Sequence, residues 1–511
     1  MASYMDFLSN LIIILALLFF LLVFFYAYNQ QETYGRKTKK YHPVAGTVFS
    51  LFIHFNTVHD YLTNLAKKYK TYRLISPFNG EIYTTDPMNV EYILKTNFEN
   101  YGKGTYTHDL LEDLLGHGIF AVDGEKWREQ RKVSSHEFST KVSRNFSSVI
   151  FRKNAIKLGN ILLEAANNNH KIDIYDLFMK ATLDSIFKVS FGIDLDNIWG
   201  SSKQAVRFSR AFDDANTLTS RRFFDMSWKI KKYFNIGSEA ELKKNMKVVD
   251  EFVYNLIQIK SEQIHKTTDF SITESRNEDI LSRFLQLKYK DPKYLRDIIL
   301  NYVLAGKDPI GLTMSWFIYL LCKHPEVQEK VAKDIKEATK VKEEIKNIVD
   351  FAAYVSEGAL KKMQYLHAAL TETIRLYPAL PLDPKICFSD DVLPDGYHVK
   401  KGDVVAYLPY AMGRMEFIWG DDAHEYKPKR WLDENGNFHP ENPFKFTAFQ
   451  AGPRTCLGRD FAYMQMKIFS SILLGCFVFK LSDVNRIPRY KTSINLHIDG
   501  PLDIRVFKRF G

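Results

Sequence analysis

The chain has little cysteine, and none of it is paired in sequence. Cys322, Cys387, Cys456 and Cys476 are scattered through 511 residues. That spacing argues against a disulfide framework and fits a reducing compartment. There is no internal repeat and no long low-complexity tract, which excludes a repeat architecture. Lysine and arginine exceed aspartate and glutamate, 70 to 60, for a net charge of +10. Those basic residues are spread out and no nucleic-acid-binding motif accompanies them, so an acidic partner or an anionic membrane surface is the better counterpart. Long apolar runs are scarce too. The one present covers residues 11–28 (LIIILALLFFLLVFFYAY). At ~1.5 Å per residue a helix of this length nearly crosses a hydrocarbon core of ~30 Å. Only Asp6 is charged before it and no small-residue cleavage site follows cleanly, so it reads as a retained anchor rather than a signal peptide. Arg36, Lys37, Lys39 and Lys40 follow, which leaves the C-terminal bulk in the cytoplasm. The sequon Asn145-Phe146-Ser147 then has no glycosylation role.

Residues 29–48 are polar and basic, then carry Pro43 and Gly46. The expected organisation is an anchor over 1–28, a linker over 29–48 and one large domain over 49–511. Helical periodicity dominates, as over 242–266, 292–323, 325–339, 363–377 and 457–475. Strand-like pieces lie near 71–75, 82–85, 397–399 and 403–407, and 269–277 (DFSITESRN) is a polar break that reads as a surface loop. The fold class expected is mainly α with a small β region (α+β). Nothing suggests a second catalytic domain or a fused flavin module.

The most informative stretch runs from Phe449 to Gly458, FQAGPRTCLG. It places Cys456 in a glycine-bounded loop just before a helical run. A lone cysteine beside a turn is ordinarily inert. Here the neighbours are those a sulfur ligand needs: a helix N-terminus to lower the thiol pKa, and Gly452 and Gly458 to admit a close approach. The stretch resembles the haem-binding signature of the cytochrome P-450 monooxygenases, Phe-x-x-Gly-x-Arg-x-Cys-x-Gly, with every position filled. The resemblance implies a cytochrome P-450 fold with a single large haem domain behind the anchor. It implies haem b (iron protoporphyrin IX) with Cys456 as axial thiolate, which favours O–O cleavage. Phe449 would shield the sulfur and Arg454 would reach a haem propionate.

Two further constellations fit. Glu372 and Arg375 are three apart on a helix face. Taken alone they read as a surface pair of ~0.3–0.5 kcal/mol. By resemblance they join Arg430 in a buried ion network that supports the haem core. Trp127 and Arg131 are an i, i+4 pair. Alone they suit an exposed helix; by resemblance they bind a propionate. Lys126, Arg128, Lys132, Lys445, Arg459 and Lys467 lie near these segments. They either form an ordinary solvated face or dock an acidic flavoprotein, NADPH–cytochrome P-450 reductase, which would supply electrons from NADPH for use with O2.

Residues 302–316 (YVLAGKDPIGLTMSW) resemble the family's central helix. Ala305, Gly306 and Asp308 match, but Pro309 stands where threonine is usual. Proline brings no hydroxyl and no N–H, and kinks helices at ~3 kcal/mol; Gly306 and Gly311 are expected to absorb the bend. Three readings stay open. Water or a substrate hydroxyl replaces the threonine while Asp308 relays protons; turnover is slow and leaks peroxide; or the chain catalyses a reductase-independent rearrangement. Thr313, one turn on, reads as a structural hydroxyl bonding its own helix.

The resemblance is closest to the plant fatty-acid ω-hydroxylase branch, carried by 390–403 (DDVLPDGYHVKKGD), 410–431 (YAMGRMEFIWGDDAHEYKPKRW) and 461–468 (FAYMQMKI). It implies insertion of one oxygen atom into a terminal C–H bond of a long-chain fatty acid at the endoplasmic reticulum membrane. Pocket positions by resemblance are Leu110, Leu111, Leu114, Leu115, Ile119, Phe120, Phe223, Phe224, Leu304 and Ile310, together with the turn 379–383; these would equally suit an ordinary core. No arginine stands out for a substrate carboxylate. A steroid or terpenoid would fit the same lining. An isomerase or dehydratase of an oxygenated lipid, and a degenerate haem-binding membrane protein, are the remaining alternatives.

Overall fold

The computed structural model describes Ala16, Phe19, Phe20, Val23 and residues 43–76, 80–139, 141–225, 227–267, 279–286, 291–341 and 347–509. Most of the expected anchor and linker, and the polar break over 269–277, lie outside the described residues. Among the described residues no helix is long and apolar enough to cross a membrane.

Helices carry most of the chain: α1 (Gly104–Leu115), α2 (Gly124–Ser139), α3 (Lys141–Asn167), α4 (Ile174–Phe191), α5 (Lys203–Arg221), α6 (Trp228–Phe234), α7 (Gly237–Thr267), α8 (Pro292–Lys323), α9 (Pro325–Thr339), α10 (Gln364–Leu376) and α11 (Arg459–Cys476). The expected helices coincide with α7 to α11 to within a few residues. Their ends have local causes. Asp291 caps α8 by accepting the Lys293 N–H at 3.0 Å, with Pro292 at the first helical position. Gly192, left-handed at φ +71°, ends α4.

The main sheet has six strands in the order β1-β2-β3-β7-β6-β4: β1 (Val44–Thr47), β2 (Thr71–Ile75), β3 (Glu81–Thr84), β4 (Tyr101–Gly102), β6 (Asp383–Cys387) and β7 (Val404–Tyr407). A smaller sheet joins β5 (Ile172–Asp173) to β8 (Phe477–Leu481) and β9 (Asp503–Lys508). β1 pairs with β2, so part of the stretch expected as linker belongs to the folded domain.

The α8 helix is the axis. Almost all of it is buried, and it continues unbroken past Pro309. Gly306 and Gly311 serve packing: a Cβ at Gly306 would lie 2.4 Å from Ile186 Cδ1, and one at Gly311 2.7 Å from Met179 Sδ. They let α4 approach the backbone of α8, which differs from the bend-absorbing role expected of them. The sequon falls inside α3, with Asn145 exposed and Ser147 fully buried.

Candidate haem-thiolate site

The loop before α11 is shaped by two left-handed residues, Gln450 at φ +55° and Gly452 at φ +65°. A Cβ on Gly452 would meet the Leu94 carbonyl at 2.0 Å, so only glycine fits there. The loop closes when the Cys456 N–H donates to the Phe449 carbonyl at 2.8 Å. Cys456 opens onto a cavity of about 770 Å³. Cys456 is exposed, and it lines this cavity. Burial pushes its thiol pKa up, against the Gly458 N–H and the Arg131 charge. Phe449 lines the cavity and packs on Tyr463, ring centroids 5.4 Å apart. Gly458 lies beside the sulfur: a Cβ there would come within 3.9 Å of Sγ.

Beside the sulfur, Trp127, Arg131 and Arg454 converge from α2 and the loop. The Arg454 guanidinium lies 4.6 Å from the Trp127 ring centre and that of Arg131 5.7 Å from it. Arg131 donates to the Thr455 carbonyl at 2.6 Å, and Arg454 to Asp123 and to the Val122 carbonyl. Burial lowers the pKa of both arginines, and among the described residues Arg454 Nε is buried without a partner. Both cations line the cavity wall. That suits a planar group with carboxylate arms, a cavity above it and a sulfur below it.

The support network is a set of buried contacts. Glu372 accepts from Arg375 Nε and Nη2, both at 2.7 Å, from the Lys427 N–H at 3.0 Å and from Trp431 Nε1 at 2.8 Å. Arg430 approaches it at 3.4 Å and pairs with Asp422 at 2.6 Å. Arg375 also donates to the carbonyls of Gly413, Ala423 and Glu425. Glu372 is 0% exposed and Arg375 2%, so the surface-pair reading fails.

A cluster the sequence reading missed lies at β6. Asp383 accepts from Lys103, Lys385, Tyr407 and Gln450 at 2.6–3.0 Å. Burial, with repulsion from Lys103 and Arg454, lowers Lys385 to about 7 despite Asp383. Lys103, Asp383 and Gln450 line the cavity. No local spacing signals the whole cluster, because its members come from four separate segments, with only Asp383 and Lys385 sharing one.

Asp308 and Thr313 occupy different surroundings. Thr313 lines the cavity, and its hydroxyl donates to the Pro309 carbonyl at 2.7 Å. The Asp308 carboxylate is fully buried and is not among the cavity-lining groups. It accepts from Lys307 at 3.1 Å and Asn216 at 3.0 Å, with His497 at 3.6 Å; Lys307 also pairs with Asp213. Burial would raise Asp308, but Lys307 and His497 hold it below the usual carboxylate range.

Of the expected pocket residues, eight line the cavity, among them Leu111, Leu115, Phe120, Phe223 and Ile310. Leu110 and Leu114 do not; both are 0% exposed in the core beneath α1. The turn 379–383 lines it throughout. Of the expected basic surface, Lys126, Arg128, Lys132 and Arg459 are exposed. Lys467 is buried, with Nζ donating to the Leu360 carbonyl at 2.9 Å, so it cannot contribute to that face.

Comparison with known proteins agrees with this geometry. The cytochrome P450 family model matches residues 37–502. The chain is similar to Cytochrome P450 704C1 of Pinus taeda, 49% identical over 93% of both chains. It is 40% identical to Cytochrome P450 704B1 of Arabidopsis thaliana over 98% of this chain and 100% of that one. It is 37% identical to Cytochrome P450 94A1 of Vicia sativa over 84% and 82%. With a cysteine loop, a lipophilic cavity above it and a match of this extent, the chain belongs to the cytochrome P450 family and is a haem-thiolate monooxygenase.

Proposed function

We propose that the protein hydroxylates the terminal carbon of a long-chain fatty acid, using O2 and electrons delivered from NADPH by a flavoprotein reductase. The observation that carries this reading is the single cavity that joins Cys456 to a predominantly aliphatic and aromatic lining. An apolar channel takes an alkyl chain end-on and leaves its polar head outside. The marks of the plant fatty-acid ω-hydroxylase branch in 390–431 point the same way.

Haem supplies the iron chemistry of oxygen activation when bound. Cys456 would hold its iron through the sulfur, on a loop fixed by Gly452 and the Cys456–Phe449 hydrogen bond. Phe449 would keep water from the sulfur. Arg131, Arg454 and Trp127 would hold the propionates, since planar guanidinium forks suit carboxylates. Leu304, Ile310 and Leu111 would align the alkyl chain and exclude water from the reacting end. Glu372, Arg375 and Arg430 hold the core and do not touch the substrate. Lys126, Arg128, Lys132 and Arg459 would form the electrostatic face for the reductase. Residues 11–28 would anchor the chain in the endoplasmic reticulum membrane, with the catalytic domain in the cytoplasm.

The test is a lipid panel in microsomes with reductase, read by mass spectrometry. ω-Hydroxy fatty acids that need NADPH and reductase are expected. Product formed from an oxygenated lipid without reductase would favour an isomerase. Steroid or terpenoid products alone would remove the fatty-acid reading.

A further inference from the structure

One wall of the cavity is a face of the main sheet, and a single unpaired acid stands on it. Side chains alternate along a strand, so Glu81 and Tyr83 of β3 share a face. The register carries that face across β7 and β6: Glu81 pairs with Val404 and Val404 with Ile386, while Tyr83 pairs with Ala406 and Ala406 with Pro384. All six residues line the cavity. Glu81 is only half-buried, so a molecule in the cavity can touch it. Its own partners are few. The Tyr83 hydroxyl donates to Oε2 at 2.6 Å. Among the described residues Oε1 has no hydrogen-bond partner, and no cation pairs with the group. The other acid of the cavity, Asp383, is held by Lys103 and Lys385. Burial disfavours the Glu81 charge, and only the Tyr83 hydroxyl offsets it. A carboxylate oxygen in an apolar wall is stabilised by a donor, and here the protein supplies none to Oε1.

The chemistry of the missing donor is narrow. A substrate carboxylate cannot donate and would be repelled, and a chain carbonyl or ether has no hydrogen to give. An ammonium group could donate, but Lys103, Arg131, Arg222 and Arg454 already line the cavity, so a further cation is disfavoured. A hydroxyl fits. Its place along the chain follows from the sheet. At the other end of β3, Thr84 pairs with Tyr407 and Tyr407 with Asp383, and Asp383 accepts from Gln450 of the cysteine loop. Glu81 is three residues back from Thr84, about 10 Å along the strand. The acid therefore meets the chain well away from the cysteine loop. We propose that Glu81 accepts a hydrogen bond from a hydroxyl within the alkyl chain, so that the preferred substrate is a long-chain fatty acid already hydroxylated along its length. Glu81 is a specificity-determining residue and takes no part in the oxidation. The inference rests on the fatty-acid reading and deepens it.

The test compares hexadecanoic acid with the same acid carrying a mid-chain hydroxyl, on the full-length, haem-loaded protein. Isothermal titration calorimetry gives affinities without turnover, and mass spectrometry of the products with reductase gives the carbon oxidised. A hydrogen bond to a charged group is worth roughly tenfold or more in affinity, so the wild type should bind the hydroxylated acid about tenfold more tightly. Glu81→Leu should abolish that preference and bind the unsubstituted acid at least as well as the wild type does. Glu81→Gln keeps an acceptor without the charge and should retain a preference of a few-fold. Equal wild-type affinities, or a preference that survives Glu81→Leu, overturn the proposal. If Glu81→Leu fails to fold, the wild-type preference and its weakening in Glu81→Gln decide, and a preference undiminished in Glu81→Gln overturns the proposal. The two readings fail separately. Unsubstituted acid oxidised at its terminal carbon with no preference for the hydroxylated one would leave the fatty-acid reading standing and remove this one. A preference lost in Glu81→Leu, with products that lack a terminal hydroxyl, would do the reverse.

Discussion

Replacing Glu372 by alanine tests whether the network behind the haem loop is a buried structural element. The side chain accepts hydrogen bonds from Arg375, the Lys427 N–H and Trp431 Nε1, and it is fully buried. Its loss leaves a buried guanidinium without its anion, which costs about 3–5 kcal/mol. The orphaned Trp431 N–H has its own cost of about 1–3 kcal/mol. These overlap, because both describe one desolvated pocket, so about 4 kcal/mol is expected for the set. Against a usual total of ~5–15 kcal/mol this is severe. Glu372→Gln keeps an acceptor for Trp431 and should lose less. Adding Arg375→Met to Glu372→Ala should cost less than the sum of the two, because the stranded charge goes too. Urea unfolding followed by tryptophan fluorescence measures the wild type, the three single variants and the double variant. A loss under ~1 kcal/mol for Glu372→Ala would match an exposed pair and refute the reasoning.

Two other outcomes follow from single residues. Burial lowers the Lys467 ammonium to about 8, with Asp334 opposing. Because the folded pKa lies below the unfolded one, the folded state carries a penalty that is complete below about pH 8. It fades as pH rises toward about 10.4, where the unfolded lysine also loses its proton. Lys467→Met should therefore be more stable than the wild type at pH 7, by at most about 3 kcal/mol, with the gap closing by pH 10; a gap independent of pH would contradict this. Gly452→Ala meets both a positive φ and the Leu94 carbonyl. It should lose haem while keeping its far-ultraviolet circular dichroism, and wild-type haem content in that variant would show that the loop tolerates a side chain.

Much of the architecture was legible because its signals are local. The α8 and α9 helices were legible from their helical periodicity, and β2 from a short strand-like run. The cysteine loop was legible for a similar reason: its glycines, arginine and cysteine occupy consecutive, geometrically fixed places. What could not be read depends on groups that meet only in three dimensions. Asp308 turns from the cavity because Asn216 on α5 and the distant His497 are there to receive it. Leu111 and Leu115 reach the cavity while Leu110 and Leu114 enter the core, a difference of one position around α1. Lys467 reads as surface charge, yet its stem crosses the core to a backbone carbonyl. The Asp383 cluster draws on four segments, so no local pattern reveals it.

The most direct test of the account is the carbon monoxide difference spectrum of the reduced protein, taken for the wild type and for Cys456→Ser after haem supplementation. The wild type should show the long-wavelength band of a thiolate-ligated haem, and Cys456→Ser should lose it. A colourless wild type, or a serine variant with the same band, would contradict a bond between residue 456 and iron.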